Sequence, residues 1–175
     1  GRAERASWLH IALTPGIGPV TAARLLAALG LPEDILGTSH AGLAALIGPA
    51  AAASLLHDDP LRTAAIRASL DWSEQPHCHL LTLAHPAYPP RLLQSADPPP
   101  VLWAQGRIEL LAGAALAMVG SRSATRGGIE TARSFAHSLG EQGVTIVSGL
   151  AQGIDAAAHR GALDTAGGTV AVLGT

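Results

Sequence analysis

The stretch from Met118 to Gly174 constrains this chain more than any other part of it. It reads MVGSRSATRGGIETARSFAHSLGEQGVTIVSGLAQGIDAAAHRGALDTAGGTVAVLG. Twice an apolar run of β type stops at a glycine-rich turn, and a helix-compatible segment follows. A third run begins the same cycle. Short continuous apolar strands alternating with helices predict a parallel α/β sheet. In such a sheet the turns after the strands gather at one edge, where these folds bind ligands. Here the turns offer many backbone N–H groups and a placed arginine, Arg122, a combination suited to phosphate.

Three regions emerge along the 175 residues. Residues 1–72 predict an all-helical domain. Apolar positions recur at helical spacing, and Pro15–Gly16, Gly18–Pro19, Gly30, Gly37, Gly48–Pro49 and Pro60 punctuate them. Gly18-Pro19 and Gly48-Pro49 both open small-residue segments, a weak internal echo. Residues 73–103 are mixed. His77–Leu83 and PVLWA read as strands around HPAYPPRLLQSADPPP, which holds six prolines in sixteen residues. Proline at that density forbids long helices and central strands. Tyr88, Leu92 and Leu93 point to an ordered loop with its own anchors. Residues 104–175 carry strands at 114–119, 144–148 and 169–173 and helices at 128–139 and 154–163. The reading is two domains: 1–72 helical, and 73–175 a Rossmann-like, mostly parallel sheet with helices on both faces. Three strands make a thin sheet, so the second domain is expected to be truncated on its C-terminal side.

Charge limits the partners. The net charge is −2, with five arginines against six acids in residues 1–72 and six against seven in 73–175. No broad basic footprint is present, so any phosphate binding must be local and geometric. Cys78 is the single cysteine, which excludes an internal disulfide and fits a reducing compartment. No apolar run approaches the ~20 residues that cross a bilayer.

LTPGIGPVTAARLL at 13–26 has the form of a helix-hairpin-helix. Ile17 would plug the gap between the helices, and Pro19 suits a first helical turn. The turn at Gly16 and Gly18, with Arg24 nearby, is a candidate for DNA phosphate contact; the alternative is a hairpin that serves packing alone. In GSRSATRGG, Arg122 follows the strand edge and Arg126 lies near the next helix start. Arginine suits a bidentate phosphate grip; the alternative is that Arg122 braces the loop by pairing with Asp155. In SGLAQGID, Gly149 and Gly153 flank a second helix start. A Ser148–His159–Asp155 catalytic set lacks the G-x-S-x-G elbow, so Asp155 is expected to cap backbone N–H groups and His159 to pack. His77, Cys78, His79 and His85 lack metal-ligand spacing. No catalytic residue, metal or cofactor is expected.

With AMVGSRSATRGG, IVSGLAQGIDAAAHRGAL and GGTVAVLG, preceded by AYPPRLL and DPPPVLWAQG, the chain resembles the bacterial DprA (Smf) family of DNA-processing proteins. The resemblance is close over about residues 85–175 and looser over the helical start, a SAM-like or helix-hairpin-helix domain. It implies a cytoplasmic, non-enzymatic protein of natural transformation and DNA recombination. Such a protein binds single-stranded DNA, protects incoming strands, helps load the recombinase RecA, and forms a homodimer at full length. By position, Gly120, Ser121 and Arg122 match the family's phosphate-contacting turn, with Arg126 beside it, and Gly149 and Gly153 match its second glycine turn. Gln152 departs from the basic residue that many members carry. The family also continues past Thr175. The competing reading is a phosphoribohydrolase of the cytokinin-activating type on a similar sheet, which needs a P-G-G-x-G-T-x-x-E segment absent here. A third is a non-catalytic interaction module.

Overall fold

The computed structural model describes residues 1–174. Its contacts divide into two compact units, Gly1–Gly106 and a second that begins at Arg107.

The first unit opens with six helices: α1 (Arg2–Ala12), α2 (Pro19–Leu29), α3 (Pro32–Leu36), α4 (His40–Ile47), α5 (Pro49–Leu56) and α6 (Pro60–Trp72). Four of them begin on proline, whose fixed φ and missing N–H cost nothing at a first helical position. Side chains cap two of the helices: Ser39 accepts from the Gly42 N–H at the start of α4, and Asp59 from the Leu61 N–H at the start of α6. Ile17 is buried among Ile11, Ala22, Leu25, Ile35, Leu43, Ala52 and Leu55, so it plugs the hairpin as its sequence position suggested. The Gly-Pro echo does not extend to the backbone, because Gly18 has φ −83° and Gly48 has φ +86°.

Strands β1 (Cys78–Thr82) and β2 (Val101–Gln105) then pair antiparallel, with Leu80 opposite Trp103. Between them lies a short helix, α7 (Pro90–Leu93). The proline-rich segment is anchored by Tyr88, buried, whose hydroxyl donates to the Pro99 carbonyl at 2.7 Å. Burial pushes that phenol up to about 12. Leu93 stays exposed and anchors nothing. The contact boundary falls after Gly106 rather than at the expected 72/73, because Leu80 and Val101 share a core with Trp8, Leu9 and Leu70.

The second unit holds β3 (Ala115–Ala117), α8 (Arg126–Glu141), β4 (Thr145–Ser148), α9 (Ile154–Ala162) and β5 (Thr169–Ala171). The sheet is parallel in the order β3-β4-β5, the Rossmann-like βαβαβ arrangement that the alternation predicted. α8 and α9 pack on each other and on β4, with Ala136, Ile146, Ala158 and Ala162 at the centre. Both crossover helices therefore lie on one face among the described residues, in place of the expected cover on both. A sheet that advances one strand at a time with crossovers of one hand puts its helices on one side. Gly161 makes the close approach possible, since a Cβ there would run into the Arg133 carbonyl.

Candidate functional site

Parallel pairing brings the turns after β3 and β4 to one edge of the sheet, and two glycines interlock them. A Cβ on Gly120 would lie 2.7–2.9 Å from the side chain of Ile154, the first residue of α9. Gly153 has φ +79°, and a Cβ there would strike the Ser121 and Arg122 carbonyls. The Ile154 N–H donates to the Ser121 carbonyl at 3.2 Å, which closes the junction.

Asp155 holds the second turn. It is 6% exposed and accepts from the Gly149 N–H at 3.1 Å. Burial pushes its carboxyl up. The N–H groups of Gly149, Ala151 and Gly120 outweigh that and hold it below its ordinary range. The Asp155 carboxylate is thus the anion this turn already binds, and Gly149 shapes the turn rather than offering a free N–H. Asp155 caps backbone groups as the sequence suggested, and it makes no pair with Arg122.

Ser148 and His159 are both engaged. The Ser148 hydroxyl donates to the Met118 carbonyl at 2.7 Å. His159 meets the Thr169 hydroxyl through Nδ1 at 2.7 Å, and Thr169 donates to the Ile146 carbonyl at 2.8 Å. Thr169 must then accept from His159, so Nδ1 carries the proton. Nε2 is buried without a partner. Burial holds the His159 pKa below its ordinary value, with Asp155 opposing. His10 in the helical unit is lowered for the same first reason. The folded state therefore favours neutral imidazoles, while the unfolded chain takes up protons near about pH 6.5. Thermal stability is expected to be at its plateau above that pH and to fall as pH drops below it. Melts across pH 7.5 to 5.0 check this; a flatter slope in His159→Asn assigns the share of that residue, and an unchanged slope assigns it none.

The first turn leaves the Arg122 guanidinium free. Arg122 is exposed and makes no hydrogen bond or ion pair among the described residues. Ser121 accepts through Oγ from the Ser123 N–H at 3.1 Å. Thr125 caps α8 by accepting from the Gly128 N–H at 3.1 Å, a role its sequence position had not suggested. Arg126, the first residue of the sixteen-residue α8, pairs with Glu130 at 3.3 Å and remains exposed. Arg122 and Arg126 thus flank the positive end of a long helix dipole. Gly16, Gly18 and Arg24 belong to the other unit. Gly16 turns with φ +85°. The Arg24 guanidinium donates to the Leu46 carbonyl at 3.4 Å, beside an open groove of 390 Å³ lined by Pro15, Gly16 and Ile47 to Ala51.

Residues 79–175 match the family model for DNA recombination-mediator protein A. Protein Smf of Escherichia coli is 45% identical over 109 residues, 62% of this chain and 29% of that protein. Protein Smf of Synechocystis is 33% identical over 187 residues, 98% of this chain and 44% of that protein. The chain spans less than half the length of either. The X-ray structure of DNA processing protein A (DprA) from Streptococcus pneumoniae superposes with a TM-score of 0.71 at 25% identity, over 95% of this chain and 55% of that one. Interlocked glycine turns on a parallel sheet, the motifs that build them and these matches agree: the chain belongs to the DNA recombination-mediator protein A family.

Proposed function

We propose that this chain takes part in DNA processing during natural transformation by binding single-stranded DNA through its phosphates. The observation that carries the reading is Arg122, an unpaired guanidinium on the turn that leads into a long helix and is locked to its neighbour. Arg122, Ser121 and Arg126 hold the phosphates, while Gly120, Gly149 and Gly153 shape the turns. In the helical unit, Gly16, Gly18 and Arg24 form an auxiliary phosphate contact. The longer protein protects incoming strands in the cytoplasm, hands them to RecA and works as a homodimer. The reading is of a binding protein and not a hydrolase. In support, the Ser148 hydroxyl and the proton-bearing nitrogen of His159 are both committed to internal partners.

Phosphate-led binding is expected to weaken steeply with salt and to be indifferent to base sequence. Arg122→Ala is expected to lose about 1–3 kcal/mol, roughly 5- to 150-fold in Kd, with the melting temperature unchanged. Arg122→Lys recovers only part, because a point charge replaces the fork. Fluorescence anisotropy on oligonucleotides of varied sequence and at several salt concentrations measures all three. Salt-insensitive binding, or full affinity in Arg122→Ala, rejects the reading.

A further inference from the structure

Nine described residues take a positive φ, and seven of them are glycine. The other two are His77 and Leu150, each at 61°. Histidine is among the side chains that tolerate the left-handed region; a leucine there is an outlier. Leu150 is also 58% exposed, so no core packing compensates the strain. The turn around it is over-determined. Asp155 holds the Gly149 N–H on one side, and on the other Gly153 is pressed against the Ser121 and Arg122 carbonyls. Glycine would take this backbone without strain, as it does at the seven other positions. An apolar side chain kept in solvent on a strained backbone points to a contact outside the chain.

The neighbouring strand end also leaves an apolar side chain in solvent. Val119 after β3 is 73% exposed. Ala117 pairs with Val147, so Val119 and Leu150 follow adjacent strands at one sheet edge. That edge is where the Arg122 turn begins.

We propose that Leu150, with Val119 on the neighbouring strand end, is a base-contact residue: an aliphatic platform for a nucleobase whose phosphate is held at the Arg122 turn. This rests on the single-strand reading above and names the part of the ligand that reading leaves untouched. Every base has an apolar face, so such a platform adds affinity without sequence preference.

The test uses fluorescein-labelled oligo(dT) and an abasic oligonucleotide of equal length, which keeps the phosphates and removes the bases. The wild-type protein is expected to bind oligo(dT) about tenfold more tightly than the abasic strand, the gain from burying one large aliphatic side chain. Leu150→Gly is expected to lose that difference while keeping abasic binding, the salt slope and a melting temperature at or above wild type. Leu150→Phe is expected to keep the preference for oligo(dT). A Leu150→Gly protein that binds oligo(dT) as wild type does overturns the proposal. So does one that melts lower, which makes Leu150 a packing residue, or one that loses abasic binding equally, which makes it a shaper of the phosphate turn. If wild type binds both strands equally, the base contact alone is rejected and the phosphate reading stands. If it binds neither, the single-strand reading fails and this proposal falls with it.

Discussion

Gly153→Ala is expected to unfold the sheet unit well before the helical one. Two effects add at this position. Alanine at φ +79° costs about 1–2 kcal/mol in backbone strain. Its Cβ would also overlap the Ser121 and Arg122 carbonyls, which are backbone and cannot rotate away. Forcing that overlap adds about 1–3 kcal/mol. The sum, about 2–5 kcal/mol, is a large fraction of a domain's stability. The two turns would part, and binding to single strands should be lost with them. The signal is separable, because Trp8, Trp72, Trp103 and Tyr88 all lie in the helical unit and Phe135 is the aromatic of the sheet unit. Tryptophan fluorescence should therefore stay near wild type, while hydrogen exchange at the Ile146 amide, which donates to the Gly168 carbonyl, accelerates. Protection equal to wild type at Ile146 would show that the turns tolerate the methyl group.

Arg62→Ala is expected to have the complementary effect. Arg62 is 5% exposed and has no carboxylate partner. Its guanidinium donates to Thr14 Oγ1 at 3.2 Å, to the Ser54 carbonyl at 3.0 Å and to the His57 carbonyl. The same knot continues outward. Thr14 donates to the His10 carbonyl at 2.6 Å, Ser54 to the Pro15 carbonyl at 2.8 Å, and His10 Nε2 to the Leu55 carbonyl at 2.8 Å. Arg62 thus ties the Pro15–Gly18 hairpin to the end of α5. Removing it leaves one buried and two part-buried acceptors without their donor, at a cost of about 1–3 kcal/mol. Arg62→Met should cost less, since it keeps the volume and removes the desolvation of the charge. Urea titration followed by tryptophan fluorescence reads this unit. A midpoint within error of wild type for Arg62→Ala would assign Arg62 no role in the hairpin.

Much of the fold was legible because the signals are local. Proline at first helical positions, glycine after strands and a period switching between two and 3.6 all act within a few residues. The strands at 115–117, 145–148 and 169–171 and the helices between them follow from that. Tyr88 was legible as an anchor because an amphipathic ring amid prolines has little else to do. The site was legible only in outline. The glycine turns and Arg122 could be named, but not that Asp155 already fills the second turn, nor that Leu150 adopts a glycine-like conformation there. No local preference places a leucine at positive φ.

The sequence by itself determined the α/β class, the hairpin plug at Ile17, the capping role of Asp155 and the candidate phosphate turn. Each depends on chemistry within one turn or one helix. The tertiary structure decided what depends on distant backbone. It grouped the β1–β2 hairpin with the helices, because Leu80 and Val101 complete the core around Trp8 and Leu70. It placed both crossover helices on one face, because the sheet advances in one direction. It also fused two glycine turns, thirty-three residues apart from Gly120 to Gly153, into one edge, because only parallel pairing of β3 and β4 brings Ile154 onto Gly120.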